Sequence, residues 1–327
     1  MSRWKYSLKG SSGNAGAAAS LPGRWSTLVG GVMVLFFMTG ALFGNYGYDL
    51  GLYPYSPAFG IANDDYAEAP PSSGVVRWLL DHQEDSIDPI PEEFHLLGTD
   101  QAGRDVFIQV LHGAWTYLLP GIAVAVLMLA IGIPLGAASG YAPSSVAGST
   151  ASFLIALMDS FPRLIALMAV FILFDFDLPA LVLGLSVFNA SRVASIVRAR
   201  VAGLVNTRFV EAAEELGVSR FRIIAHRLIW LNCRHALAIQ MIYGMASLIL
   251  VEATFTYLNV GTEVGQTSWG RMILEGMGGG GFNHKIDAGI YWQAAPPSFA
   301  IVWTLLGFYL LADGLERRLH AKNPGSR

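Results

Sequence analysis

Polar side chains occur inside stretches that are otherwise apolar, among them Asn189, Gln240, Tyr243, Ser247 and Glu252. Such groups are costly in hydrocarbon and mark either a solute path or bonding between helices. Gln240, Tyr243 and Ser247 recur at helical spacing on one face, which suits the lining of a path. The competing role is interhelical hydrogen bonding, worth about 1 kcal/mol each. Asp159 and Arg163 stand four apart and can pair on one helix face. A second concentration differs in kind. "VEAAEELGVSRFRIIAHRLIWLN", residues 210–232, is polar and Arg-rich. It reads as two short helices hinged at Gly217, the first capped by Asn206 or Thr207 and the second by Ser219. On the second helix Phe221, Ile224, Ala225 and Leu228 form one stripe. Ile223 is expected to point the other way, an apolar knob flanked by Arg220, Arg222 and Arg227 and suited to a groove on another protein. Ala212 and Ala213 allow close backbone approach.

Other chemistry is excluded by what the chain lacks. The phosphate-binding loop G-x-x-x-x-G-K-[ST] needs a lysine after glycine, and none of Lys5, Lys9, Lys285 and Lys322 has one before it. Zincin and G-x-S-x-G hydrolase patterns are missing too. The single cysteine, Cys233, permits no intrachain disulfide and no thiolate cluster, and reads as a small apolar residue. "GMGGGGF" at 276–282 lacks the strand–helix frame of a phosphate loop and reads as a flexible connection.

The elements that must position these residues follow from composition. Of 327 residues 53% are hydrophobic and 14% charged, against about a quarter charged in soluble domains. No Asp, Glu, Lys or Arg lies between Asp105 and Asp159. Six spans are expected, each of about 20 apolar residues: Ser26–Phe43, Ala114–Ser139, Ala151–Phe174, one from Leu178 into "SRVASIVRAR", His235–Leu258 and Ala294–Ala312. The chain then divides into a tail (1–24), the first span (25–43), an external segment with a surface helix (44–113), a five-helix core (114–312) containing a cytoplasmic loop (198–234), and a second tail (313–327). Fifteen basic residues fall in the two tails and the 198–234 loop, against four in the opposite connections. The positive-inside rule therefore predicts both termini in the cytoplasm. The external segment holds twelve acidic and two basic residues, as a solvated loop or a docking surface for an outside partner.

The 210–232 stretch resembles the "EAA loop" of bacterial ABC-transporter permeases, E-A-A-x3-G-x9-I-x-L-P. Glu211, Ala212, Ala213 and Gly217 match, and Ile229 stands at the Leu position. Arg227 replaces the Ile and Trp230 the Pro, which leaves the second helix free to continue into span five. "HLLGTDQAGRDVFIQVLHGAW" is similar to a segment of the dipeptide/oligopeptide/nickel subtype, with His95, Leu97, Gly98, Thr99, Asp100, Gly103, Arg104 and Asp105 matching. Physically, Thr99 or Asp100 can cap a helix whose stripe Val106, Phe107, Val110, Leu111 and Ala114 would lie along the membrane face before turning into span two. "FPRLIAL", "LVEATFTYLNVG", "SWGRMI" and "LADGLERRL" extend the resemblance to about residue 320.

The resemblance implies an all-α integral membrane protein of six transmembrane helices with the type I ABC importer permease fold, in a bacterial inner membrane. It implies as partners a second homologous permease subunit, two cytoplasmic ATP-binding subunits and an external substrate-binding protein. ATP and Mg would sit on the ATPases, with no cofactor or metal on this chain and no nucleic acid. Glu211, Ala212, Ala213, Gly217, Arg220, Arg222 and Ile223 would form the ATPase-coupling surface, and Asn189, Gln240, Tyr243, Ser247 and Glu252 the translocation path. Short peptides, opines and nickel complexes are carried within the family. The competing class is an ion-coupled transporter or channel acting alone.

Overall fold

The computed structural model describes residues 23–47, 50, 96–174, 178–205, 207, 210, 215–219, 222–258, 267–277 and 292–322. These form helices α1 (Gly23–Tyr46), α2 (Val106–Tyr141), α3 (Val146–Ser160), α4 (Arg163–Leu173), α5 (Leu178–Leu204), α6 (Leu231–Tyr257), α7 (Trp269–Met277) and α8 (Ala295–Lys322), with a π-helical turn Ile223–Trp230 leading into α6. Among the described residues the only pairing of extended chain is one isolated bridge, Thr99 with Asp105. Among the described residues five helices are long and apolar enough to cross a membrane, and the α3–α4 pair makes six if it counts as one span.

Small residues set how the bundle closes. Gly132, Gly136 and Gly140 form a stripe on α2, where a Cβ would stand 2.7, 2.5 and 2.8 Å from the carbonyl oxygens of Ala190, Ala194 and Arg198 on α5. Backbones approach that closely only where side chains are missing, which is how membrane helices gain packing without a hydrophobic drive. On α1 a Cβ at Gly30 would come within 2.8 Å of the Gly307 carbonyl on α8, and one at Gly307 within 2.8 Å of Met33.

The register of these contacts counts the crossings. Partners on α2 and α5 rise together in number, so the two helices run parallel. The chain leaves α2 at one end of the bundle and starts α5 at the other, and α3 and α4 together must carry it back. Met128 meets Gly244 and Tyr117 meets Glu252, so α6 is antiparallel to α2. Gly30 and Gly314 of α1 and α8 pair with Leu310 and Thr27, again antiparallel. Six crossings result, with Gly23, Lys322 and the 205–230 elbow at one end.

Four expectations are corrected. The third span is not one straight helix: α3 and α4 meet at 92°. Phe161 is extended (φ −96°, ψ 139°) before Pro162, the conformation a following proline imposes. Asp159 and Arg163 therefore lie on different helices and share no face. The surface helix and span two are a single 36-residue helix, rising about 54 Å where hydrocarbon needs roughly 30 Å. The stripe predicted to lie on the membrane turns inward instead. Val106 and Ala114 are buried, and Gly44 of α1 packs on Leu111 and His112. Finally, the cap of α2 is Asp105, whose carboxylate accepts from the Ile108 N–H at 3.0 Å.

Candidate functional site

At the end of the bundle where α2 begins, side chains from four elements converge. Asp100 folds its own loop: Oδ1 accepts from the backbone N–H groups of Ala102 and Arg104, both at 2.9 Å, and Oδ2 from Arg104 Nε at 2.7 Å and Gln109 Nε2 at 2.8 Å. Gly103, at φ 74°, supplies the left-handed residue that lets the chain double back, where a Cβ would be strained. Arg104 Nη2 then reaches Glu275 of α7 at 3.2 Å, and Arg271 Nε holds the other Glu275 oxygen at 2.6 Å. Trp292 Nε1 donates to the Thr99 carbonyl at 3.1 Å. The matching residues Leu97 through Asp105 thus tie the starts of α2 and α8 to α7. His95 lies outside the described residues.

Just below, the buried core contains polar chemistry. Tyr117 Oη donates to Glu252 Oε2 at 2.6 Å, Thr256 Oγ1 donates to Oε1 at 3.0 Å, and the Trp269 N–H donates to Tyr117 Oη at 3.2 Å. Trp269 is itself buried, its Nε1 bonded to the Val110 carbonyl at 2.8 Å and its ring edge-on to Phe37 at 6.0 Å. Glu252 is 4% exposed. Its carboxyl group is enclosed by α2, α6 and the turn before α7, and so braces three elements where the sequence suggested an open path.

The other polar residues of α6 lie differently. Gln240, Tyr243 and Ser247 are half-buried on one face. Asn189 of α5, 7% exposed, donates through Nδ2 to Ser247 Oγ at 2.9 Å, and Ser247 Oγ donates on to the Gly244 carbonyl. Interhelical bonding is thus observed for Asn189 and Ser247.

At the opposite end, α5 gives way to the elbow. Thr207 Oγ1 donates back to the Leu204 carbonyl at 2.7 Å, while the Thr207 carbonyl accepts from the Val210 N–H at 2.8 Å. Gly217 sits at φ 75°, as a hinge needs, with nothing beyond its own chain neighbours within 4 Å of where a Cβ would be. Beside it Leu216 is 83% exposed. Ser219 starts the second helix through its carbonyl, which accepts from the Ile223 N–H at 3.1 Å. Arg222 is exposed. Trp230 has helical backbone (φ −59°, ψ −45°), so the π-helical turn runs on into α6 without a break. That continuity is what Trp in place of Pro predicts. Glu211, Ala212, Ala213 and Arg220 lie outside the described residues.

Ile223 is the correction here. It is fully buried, packed with Val197, Val201, Val210, Cys233 and Leu237. The expected knob is an anchor. A face assigned at α-helical spacing does not carry into i→i+5 winding, and an isoleucine beside two valine-bearing elements gains more from burial than from solvent. At the tip of the elbow the exposed apolar group among the described residues is Leu216, which lies outside any stripe the sequence displays. Among the described residues no group of three or more His, Cys, Asp or Glu is placed to hold a metal.

Residues 132–323 match the family model described as binding-protein-dependent transport system inner membrane component. This chain belongs to that family. The probable D,D-dipeptide transport system permease protein DdpC of Escherichia coli K12 is 32% identical over 267 residues, 76% of this chain and 83% of its own length. The dipeptide transport system permease protein DppC of Bacillus subtilis is 30% identical, over 76% of this chain and 74% of its own. The oligopeptide transport system permease protein OppC of Haemophilus influenzae is 30% identical, over 73% and 74%. The family is that of ABC-transporter permeases, and the chain is accordingly a multi-pass inner-membrane component.

Proposed function

We propose that this chain is one of two spanning subunits of an importer for short peptides or related small solutes, driven by separate cytoplasmic ATPases. The observation that carries the reading is the elbow: an exposed tip, Glu215 to Gly217, and beyond it the π-helical turn Ile223–Trp230, which runs without a break into α6. A push on that tip is delivered to the helix that bears Gln240, Tyr243 and Ser247. Rigid elements transmit displacement only where they do not bend in between, and no proline interrupts this one. ATP and Mg would act on the partner subunits, and substrate would arrive from an external binding protein. Alternating access would follow from closure of the ATPases against the elbows of the two permeases.

The peptide class is supported by the relatives named above, whose own substrates are dipeptides and oligopeptides. The elbow and both tails would face the cytoplasm, in keeping with their excess of Arg and Lys. The test is co-purification from membranes followed by ATP hydrolysis. ATPase subunits should travel with the wild-type chain, and Glu211→Lys should abolish hydrolysis stimulated by substrate-loaded binding protein. A chain that transports in liposomes under an ion gradient alone, with no ATPase attached, would establish the ion-coupled class instead.

A further inference from the structure

Between the Asp100 loop, α7 and the start of α8 lies a cavity of about 280 Å³, lined on its polar side by Asp100, Gln101, Arg104, Gln109, Glu275 and Gln293. A single ordered water needs only about 10–15 Å³ of such space. Gln293 is 3% exposed. Its Nε2 is directed at the Thr99 carbonyl at 3.4 Å, while its Oε1 is buried with no hydrogen-bond partner. An acceptor left so in a protein interior costs about 1–3 kcal/mol, and native structures rarely leave one without a purpose.

The remaining hydrogen-bonding capacity of the carboxylates has a definite sense. Asp100 already accepts four bonds, all that its two oxygens hold. Glu275 accepts one side-chain bond at each oxygen, from Arg271 and Arg104, and so retains free lone pairs. Glu275 and Gln293 therefore both ask for donors. Two carboxylates line the cavity with one guanidinium, Arg104, whose Nε and Nη2 are turned onto those carboxylates; Arg271, which also pairs with Glu275, is not among the lining residues. A guest that brings several N–H groups answers both acceptors, and a positive charge on it meets the excess of carboxylate on the lining.

We propose that this cavity binds a primary ammonium group of a small solute, with Gln293 Oε1 accepting one N–H and the Glu275 carboxylate a second while supplying the counter-charge. The site lies at the end of the bundle remote from the elbow, apart from the Asn189–Ser247 face. It concerns this chain alone and does not rest on the importer reading.

Trp292 is the reporter, since its indole shares the Thr99 carbonyl with Gln293. The full chain, in lipid nanodiscs with whatever subunits co-purify, would be labelled with 5-fluorotryptophan and its Trp292 ¹⁹F resonance assigned from Trp292→Phe. Ethylammonium should shift that resonance saturably. Tetramethylammonium, equally charged but without N–H groups, and acetamide, with N–H groups but no charge, should not. Gln293→Met should weaken ethylammonium binding at least about tenfold. If Gln293→Met does not fold, Gln293→Glu decides, and should tighten binding by about tenfold. An equal shift with tetramethylammonium or acetamide, no saturable shift with ethylammonium, or unchanged affinity in the variant would overturn the assignment and leave a water-filled cavity only.

Discussion

The two ends of the bundle are held by different forces. Where α2 begins, directional bonds dominate: Asp100 is saturated, Glu275 joins Arg104 to Arg271, and Tyr117 links Glu252 to Trp269. Where α2 ends, the contacts are aliphatic, with Val197, Val201, Val210, Ile223 and Leu237 around Cys233. Hydrogen bonds fix distance and angle, so displacement breaks them. Dispersion between branched side chains is non-directional, so one helix can shift on another by a fraction of a turn at small cost. One end is held by directional bonds and the other by non-directional packing. That is the division of labour a permease needs if force enters at its elbow.

The comparison is broken most severely at Trp269. Trp269→Ala removes a buried ring and its indole hydrogen bond to the Val110 carbonyl from the held end, and should cost about 3–5 kcal/mol, read as a lowered midpoint of unfolding in detergent. Tyr117→Phe keeps the ring, leaves the Glu252 carboxyl short of its 2.6 Å donor, and should cost about 1.5–3 kcal/mol by the same measurement. At the elbow end, Ile223→Val removes one methylene from a packed but non-directional contact and should cost only about 0.5–1.5 kcal/mol. A larger loss from Ile223→Val than from Tyr117→Phe would erase the contrast. Leu216→Glu should change stability by no more than about 0.5 kcal/mol, because the side chain is exposed. It should nevertheless abolish stimulated ATP hydrolysis if Leu216 is the apolar contact of the elbow. Hydrogen exchange sharpens the same point without mutation: amides of 215–219 should exchange far faster than those of 106–118.

Local pattern suffices for some elements of this fold and not for others. Spans one, two, four, five and six were legible because their apolar runs exceed anything a soluble core needs, and runs of that length tolerate errors of a few residues. The hinge at Gly217 was legible because left-handed backbone leaves few choices of residue. The stripe after Asp105 was recognised, but its destination was not. Periodicity says that a face must be buried and does not say whether lipid, α1 or Trp269 buries it. The same gap misplaced Ile223, assigned to a partner's groove when the chain's own Val201 and Val210 were the nearer apolar surface. Pro162 was visible, yet the size of the bend depends on what α4 packs against, namely Phe255 and the Leu181–Leu185 face of α5.

By itself the sequence determined that this chain lives in a membrane, roughly where it crosses, and that an Arg-rich element interrupts the apolar core. Those are properties of local composition, since transfer free energies add along a run of residues. The tertiary structure decided the rest: that α2 and α5 run parallel on a glycine stripe, that Glu252 is enclosed by Tyr117 and Thr256, and that Gln293 keeps an unanswered acceptor in a cavity. Each depends on pairs of residues more than fifty positions apart or on exclusion from solvent, and neither quantity is written in the neighbourhood of any one residue.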